Sequence, residues 1–274
     1  MITKWTNEIS LLVQQGHFIR IAELEDCDMT WKSFIFDLPH GVMKFVVNVH
    51  LDTLPTQSNL RKWGKRSGAK CDLCKSSNET LLHTLNNCPV MLQQGRYTWR
   101  HNCILNALKT EFDLVNTGWT IITDLPGDRN IQGPSTVPPH VLPTSQRPDM
   151  VLLNKDDKTI VLIELTVCFE SEGAMQNAEN RKLDRYAGLL MDISDNGYNA
   201  DITTIEIGSR GMINCDNVSK LNKLFKVINP KLKNLQRQST NVRRKLSKMA
   251  LLASYIIFYA KYCNTWNEPD FIKC

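Results

Sequence analysis

The chain has 274 residues, 42% of them hydrophobic and 22% charged, which is the composition of an ordinary globular protein with enough volume for a real core. Its nine cysteines are an odd number, and residues 1–10 lack the apolar run and cleavage site of a signal peptide. We therefore expect an intracellular, reducing compartment rather than a disulfide framework. The longest apolar run, residues 249–260, is too short to cross a bilayer and indicates a buried helix, so no membrane partner is expected.

The net charge of +5 is unevenly distributed along the chain. Residues 217–267 contain eleven Lys or Arg and no Asp or Glu, whereas the other residues comprise 22 basic and 28 acidic ones. A basic segment on an acidic body is typical of a protein that binds a polyanion such as DNA or RNA. The alternative is a solvated helix face that serves solubility alone.

The sequence divides into five expected segments. In chain order they are a helical leader (1–65), a cysteine-rich module (66–105), a Pro-rich connector (125–148), an α/β core (147–230) and a basic helical segment (231–274). Residues 95–114 have apolar side chains at the spacing of an amphipathic helix. The connector holds six of the eleven prolines, which fix φ and remove amide donors, so we expect an extended link between two folded units.

The core segment alternates between strand and helix patterns. Two apolar runs separated by Asn-Lys-Asp-Asp-Lys predict a β-hairpin, and residues 174–194 predict a helix. A third strand is expected over 201–211, followed by a helix that ends at Pro230 and a last helix over about 241–262. We therefore predict an α/β fold in which helices flank a mixed sheet, with helical N- and C-terminal segments.

Residues 71–88 hold four soft or imidazole donors. Cys71 and Cys74 form a Cys-x2-Cys pair, and His83 and Cys88 form a second pair after a short loop. Two such pairs can close a tetrahedron around one Zn²⁺ and leave no position open for water or substrate. We therefore predict a structural zinc site that helps to fold this small module. The alternative is a coincidental spacing of ordinary buried side chains.

The hairpin brings two acidic side chains together. If its turn is centred on residues 156–157, Asp149 faces Glu164 and Arg147 faces Thr166. Directly opposed side chains lie ~5 Å apart at Cβ, so the two carboxylates repel unless a cation lies between them. Oxygen ligands of this kind favour Mg²⁺ or Mn²⁺. The alternative is that Asp149 caps the strand and Glu164 pairs with Arg147.

The following helix carries a polar stripe. Glu179, Lys182 and Tyr186 recur at i, i+3 and i+7, so they lie on one face. A lysine beside a metal-bound carboxylate pair can stabilise charge on a transferring phosphate, and Glu179, Tyr186 and Thr166 could support the site. The alternative is an ordinary i, i+3 ion pair on a solvated helix.

These motifs and their order resemble a known family. Arg-Pro-Asp at 147–149 and Glu-Leu-Thr at 164–166 resemble the P-D…(D/E)-x-K core of restriction-endonuclease-like nucleases, with Thr166 in the lysine slot. With CDLCKSSNETLLHTLNNC before them, they are similar to the CCHC zinc-binding and restriction-like endonuclease region of site-specific non-LTR retrotransposon reverse transcriptase polyproteins. The resemblance covers roughly residues 40–265.

The resemblance implies a Mg- or Mn-dependent endonuclease that nicks one strand of DNA and acts in the nucleus. It implies that residues 147–230 are the restriction-like endonuclease core and that Asp149 and Glu164 bind the metal ion. It also implies that Lys182 is the lysine which such domains place on the next helix, and that Arg147 is the basic residue before P-D. Because no aromatic-x-Asp-Asp motif occurs, no reverse transcriptase activity is expected.

Two rival interpretations stay open. In the first, the zinc module and basic segment bind DNA or RNA while the nuclease site is vestigial. In the second, the chain is a protein-interaction scaffold built on the zinc unit, and salt would then have no effect on retention by nucleic acid. Which upstream acid completes the metal site is also open, with Glu111 and Asp113 as candidates.

Overall fold

The computed structural model describes residues 2–28, 30–128 and 134–272. Its helices are α1 (Ile2–Ser10), α2 (His17–Leu24), α3 (His40–His50), α4 (Gln57–Lys62), α5 (Pro89–Gln93), α6 (Arg96–Val115), α7 (Ala174–Asp195), α8 (Cys215–Ile228) and α9 (Leu235–Tyr259). Its strands are β1 (Cys27–Asp28), β2 (Thr120–Thr123), β3 (Met150–Asn154), β4 (Thr159–Cys168), β5 (Asn199–Gly208) and β6 (Ile213–Asn214). No helix in the described ranges combines the length and apolar character needed to span a membrane.

A four-stranded mixed sheet, in the order β2-β3-β4-β5, forms the centre of the fold. Strands β2, β3 and β4 are antiparallel neighbours, whereas β4 and β5 run parallel. Parallel neighbours need a crossover, and α7 supplies it. The mixed α/β architecture predicted from the sequence is therefore confirmed.

The β3–β4 hairpin has the predicted register. Met150 pairs with Ile163 and Asn154 with Thr159, so the turn is centred on residues 156–157. The Asn154 side chain accepts the Asp156 amide hydrogen at 3.1 Å and the Asp157 amide hydrogen at 3.3 Å, and these bonds fix the turn. Because one step of slippage would move every side chain to the other face, this turn decides which face carries Asp149 and Glu164.

The two faces of the sheet have different cores. One face packs on α6, α8 and α9 through Met150, Leu152, Val161, Ile163, Leu165, Ile205 and Ile207. The other packs on α7 through Val151, Leu153, Ile160, Leu162, Tyr186, Leu189 and Ile193. Along β4, the face towards α7 is apolar up to Leu162 and becomes polar at Glu164 and Thr166. The C-terminal half of β4 therefore presents polar side chains beneath α7.

The chain path differs from the expectation in two places. The Pro-rich connector does not simply link two units: Val137 and Val141 are buried in the α7-side core, and the Thr136 hydroxyl donates to the Pro148 carbonyl at 2.8 Å. Residues 129–133 of this connector lie outside the described residues. The apolar side of the connector therefore extends the sheet's core.

The last helix covers Leu235–Tyr259, so it begins six positions before the predicted start.

Candidate functional site

Three predicted site residues meet where β3 begins and β4 continues beyond it. The Asp149 amide donates to Glu164 Oε1 at 3.1 Å, which holds the two acids opposite each other. The Lys182 ammonium, reaching from α7, is hydrogen-bonded to Glu164 Oε2 and lies 3.6 Å from Asp149 Oδ2. The Glu164 side chain is fully buried, whereas those of Asp149 and Lys182 are 15% and 18% exposed. Solvent therefore reaches the group from the side of Asp149 and Lys182.

Asp149 is oriented by two further groups. Its Oδ2 accepts the Leu165 amide hydrogen at 2.8 Å and lies 3.3 Å from His101 Nε2. The same His101 nitrogen lies 3.2 Å from the Leu165 carbonyl oxygen. Because a carbonyl oxygen can only accept, Nε2 carries the hydrogen and donates to both oxygens. His101, on α6, is a functional candidate that the sequence analysis missed.

The surroundings shift the pKa values of Asp149 and Glu164 in opposite directions. Burial raises the pKa of both carboxyls, and the negative charge of Asp149 adds to this effect at Glu164, whose pKa rises to about 7. At Asp149 the His101 and Lys182 contacts outweigh burial and lower the pKa well below its usual range. Burial lowers the pKa of His101, but Asp149 more than compensates and raises it. The pair therefore concentrates negative charge at Asp149, with Glu164 as the more weakly ionised partner.

The other predicted site residues lie around this group with varied partners. The Arg147 guanidinium contacts Asp124, with Nε 2.7 Å from Oδ1, and the Tyr186 hydroxyl donates to the Arg147 carbonyl oxygen at 3.1 Å. Glu179 does not support Lys182 by an i, i+3 pair; it contacts Lys220 at 2.8 Å. The principal ion pairs are Glu164 with Lys182, Arg147 with Asp124 and Glu179 with Lys220, rather than the Glu164–Arg147 and Glu179–Lys182 pairs considered as alternatives.

Thr166 has no hydrogen-bond partner for its hydroxyl among the described residues. It lines an open cleft of about 440 Å³, together with Asp149, Lys182 and His101. The upstream acids considered from the sequence lie elsewhere: Glu111 pairs with Lys245, and Asp113 with Lys109. Asp124, which follows β2 and lines the cleft, is the upstream acid that the fold brings near the site.

The four predicted zinc ligands converge at a second site. One donor atom from each of Cys71, Cys74, His83 and Cys88 lies within 4.8 Å of the other three. Cys74 Sγ and His83 Nε2 are 3.5 Å apart, close to the ~3.5 Å that Zn–S and Zn–N bonds of normal length impose on a tetrahedron. Sulfur and imidazole donors in a closed set fit Zn²⁺, so these residues form the expected structural zinc site.

Local backbone features shape this site. Lys75 adopts φ +58°, and its amide donates to the Cys71 carbonyl at 3.0 Å, which turns the chain between Cys71 and Cys74. His83 begins a π-helical turn (His83–Asn87), and Cys88 directly precedes α5. The Tyr97 hydroxyl accepts the Cys88 amide hydrogen at 3.0 Å and lies 3.2 Å from the His83 carbonyl oxygen. One phenol on α6 thus holds both members of the second ligand pair.

The zinc module is joined directly to the sheet and to the short 3-10 turn (Ala260–Tyr262) that follows α9. The Asn86 side chain donates to the Val167 carbonyl at 3.0 Å, one residue beyond Thr166. The buried Glu79 pairs with Lys261 at 2.6 Å. The helix that carries His101 starts at Arg96, eight residues after the last zinc ligand. The zinc site and the acidic site therefore share α6 and the end of β4 as common supports.

Residues 13–94 match the family model described as zinc-binding in reverse transcriptase. The matched range contains all four zinc ligands. No curated protein matches the chain. The chain therefore carries a zinc-binding domain of the type associated with reverse transcriptases, and this comparison does not extend to the sheet with Asp149 and Glu164.

The positive charge of the basic segment, residues 217–267, is less available to a polyanion than the sequence indicates. Five of its eleven cations form ion pairs with acidic side chains: Lys220, Lys223, Arg244, Lys245 and Lys261. Four others are exposed: Lys226, Lys231, Lys233 and Arg237. Much of the segment's charge is thus neutralised locally, and a polyanion surface there would have to use the exposed remainder.

Proposed function

We propose that the chain is a metal-dependent endonuclease that nicks one strand of DNA. The observation that carries the proposal is the meeting of Asp149, Glu164 and Lys182, of which Asp149 and Lys182 line an open cleft and Glu164 is buried directly behind them. Additional support comes from the Arg-Pro-Asp motif directly before β3, from the Glu-Leu-Thr motif within β4, and from the mixed sheet expected of a restriction-endonuclease-like core. The reverse-transcriptase-associated zinc domain is consistent with an origin in a retroelement.

The donor set fits a hard divalent cation. Asp149 and Glu164 offer carboxylate oxygens, the ligands preferred by Mg²⁺ and Mn²⁺. The raised pKa of Glu164 results from burial and from the neighbouring charge of Asp149, which is the repulsion that a bound cation relieves. Such a cation, when bound, neutralises phosphate charge and lowers the pKa of a bound water.

The protein's own groups orient the site and stabilise charge. Lys182 lies close enough to both acids to neutralise charge that develops on a phosphodiester held at the cleft. The Leu165 amide and His101 Nε2 fix the direction of the Asp149 carboxylate. Arg181 is exposed at the rim and can contact the nucleic acid backbone. In this assignment Lys182 acts on the substrate, and His101 is a positioning residue.

The wild-type chain should convert supercoiled plasmid to the open circular form when Mg²⁺ or Mn²⁺ is added and should not do so without it. Omission of the added ion is a cleaner control than a strong chelator, because a chelator also competes for the zinc. The measurement is the initial rate of nicking by protein whose zinc content has been verified. Zinc-loaded protein that fails to nick with either ion would contradict the proposal.

Substitution of His101 tests its positioning role. His101→Leu removes the Nε2 donor and should lower the nicking rate by about 10- to 100-fold, the usual effect of losing a group that orients a metal ligand. His101→Gln keeps an N–H donor and should recover a substantial part of the rate. Rates are compared across Mg²⁺ concentrations, with DNA retention and zinc content as controls. Equal rates for both variants and the wild type would show that His101 does not position Asp149.

A second candidate function is a non-catalytic zinc-dependent module that binds nucleic acid. It is favoured by the family match, which covers the zinc region and not the acidic site. The two candidates differ in one measurement, because a module of this kind would bind DNA in a salt-dependent manner and would not nick it in the presence of Mg²⁺ or Mn²⁺.

A further inference from the structure

An exposed basic loop that does not line the acidic cleft leads into the zinc module. All of residues 61–68 are exposed, and this stretch, here called the Trp63 loop, contains Arg61, Lys62, Lys65 and Arg66. The Trp63 side chain is 45% exposed. Within the described part of the chain, Trp63 belongs to none of the hydrophobic clusters, so core packing does not account for its indole. A large aromatic side chain among four cations is available to a ligand.

The backbone of the loop has a defined shape. Trp63 directly follows α4 as its C-cap residue, and its amide donates to the Asn59 carbonyl at 2.9 Å. Gly64 adopts φ +70°, which reverses the chain, and the Lys65 amide returns to the Leu60 carbonyl at 2.8 Å. Asn59 is buried and donates to the Leu54 carbonyl, which ties the loop to the core. The indole is therefore presented by an anchored turn, and less ordering is needed when a ligand binds.

The charge of this surface is strongly one-sided. Residues 61–75 contain six Lys or Arg and a single acid, Asp72. The Asp72 carboxylate lies 3.8 Å from the Arg66 guanidinium and 3.6 Å from the Lys75 ammonium, so a single negative charge is shared between two cations. Lys70 and Lys75 are exposed beside the loop. Unlike the basic segment near the C-terminus, this surface keeps most of its positive charge without local ion pairs to acids in the described residues.

We propose that the Trp63 loop binds single-stranded nucleic acid, with an unpaired base stacked on Trp63 and the backbone phosphates on the surrounding cations. Exposed aromatics within a basic surface are the usual means of holding single strands, because every base has a stacking face. In a duplex the bases are already stacked on each other, so stacking on the indole adds less to the binding affinity. The match of residues 13–94 to a zinc-binding region of reverse transcriptases favours nucleic acid over an anionic membrane as the polyanion.

The inference goes beyond the proposed cleavage reaction, because binding at this loop requires neither Asp149 nor Glu164. Binding of labelled single-stranded and duplex oligonucleotides to the full chain is measured by fluorescence anisotropy without added Mg²⁺. Trp63→Ala should weaken single-strand binding at least about fivefold and duplex binding less than about twofold. Phe36→Ala, which removes another exposed aromatic side chain (86% exposed), is the matched control and should change neither.

The cations are tested by the dependence of binding on salt. Lys65→Gln with Arg66→Gln should reduce the slope of log affinity against log salt by about 1.4 for single strands, since each phosphate contact adds about 0.7. Lys155→Gln with Lys158→Gln removes two charges from the exposed β3–β4 turn and should leave the slope unchanged. Zinc content verifies that each variant is folded.

Three results would overturn the inference. They are unchanged single-strand affinity in Trp63→Ala, an equal loss on single strands and duplexes, and a Trp63-dependent association with anionic phospholipid vesicles that exceeds the association with single strands. A chain that binds single strands through Trp63 yet never nicks DNA would refute the proposed endonuclease and support this inference.

Discussion

Replacement of Asp149 by asparagine should lower the rate of DNA nicking by at least about 10³-fold and change retention on DNA by less than about twofold. Asparagine keeps the size of the side chain and an oxygen that can accept the Leu165 amide hydrogen, but it loses the negative charge. Asp149 is the acid whose surroundings favour the ionised form, so in the proposed site its charge would be the main attraction for a divalent cation. The measurement is the initial rate of plasmid nicking in saturating Mg²⁺.

Controls separate this effect from a general loss of charge or fold. Asp156→Asn makes the same change on the exposed hairpin turn of the same sheet and should nick at the wild-type rate. Zinc content and the thermal unfolding midpoint show whether the Asp149→Asn variant keeps its fold. A variant that is folded and retains more than about a tenth of the wild-type rate would contradict the assignment of Asp149 as a metal ligand.

The partner acid gives a further check. Glu164→Gln should also abolish nicking, and the variant with both changes should be little worse than either one. If both carboxylates hold one cation, as proposed, the first loss already removes it, and this non-additivity follows. Independent, multiplicative losses would indicate that the two acids act in separate steps.

The features that could be predicted from the sequence are those set by local spacing. The Asn-Lys-Asp-Asp-Lys turn fixes the hairpin register, and with it the opposition of Asp149 and Glu164. The Cys-x2-Cys and His-x4-Cys pairs identify the zinc ligands because a small metal-bound loop needs its donors close in the chain. The predicted helix at 174–194 agrees with α7 to within one residue.

The features that could not be predicted depend on contacts between distant segments. His101 reaches the Leu165 carbonyl across 64 positions, and no pattern around it distinguishes it from other polar residues of α6. The Arg147–Asp124 contact spans 23 positions and closes only once β2 is paired with β3. The ion pairs that neutralise part of the basic segment are likewise tertiary, so a count of charges along the chain overestimates the free positive surface there.

Substitution of a zinc ligand should have a large effect on zinc binding and on stability. Cys88→Ser should abolish zinc binding and lower the free energy of unfolding by about 4 kcal/mol or more, because three donors and a hydroxyl replace a closed tetrahedral set. Cys88 is fully buried, and its amide is held by Tyr97, so the module has little room to recruit another ligand. Zinc per chain is measured by elemental analysis and stability by denaturant unfolding.

Two other cysteines provide matched controls. Cys103→Ser alters a cysteine of α6 that is also buried but is not among the four donors, so zinc should remain at one per chain with a smaller loss of stability. Cys263→Ser alters an exposed cysteine and should change neither quantity. A Cys88→Ser protein that still binds one zinc ion per chain would show that the four residues are not the ligand set.

Loss of zinc should also reduce nicking, even though no zinc ligand lies in the acidic cleft. The ligand pair His83 and Cys88 is bonded to Tyr97 of α6, and one turn further along this helix His101 contacts Asp149. If the zinc site supports the nuclease site through α6, Cys88→Ser should lose nicking at temperatures where the sheet remains folded. If nicking persists in zinc-free, folded protein, the two sites are independent, and the shared helix is a structural connection without functional consequence.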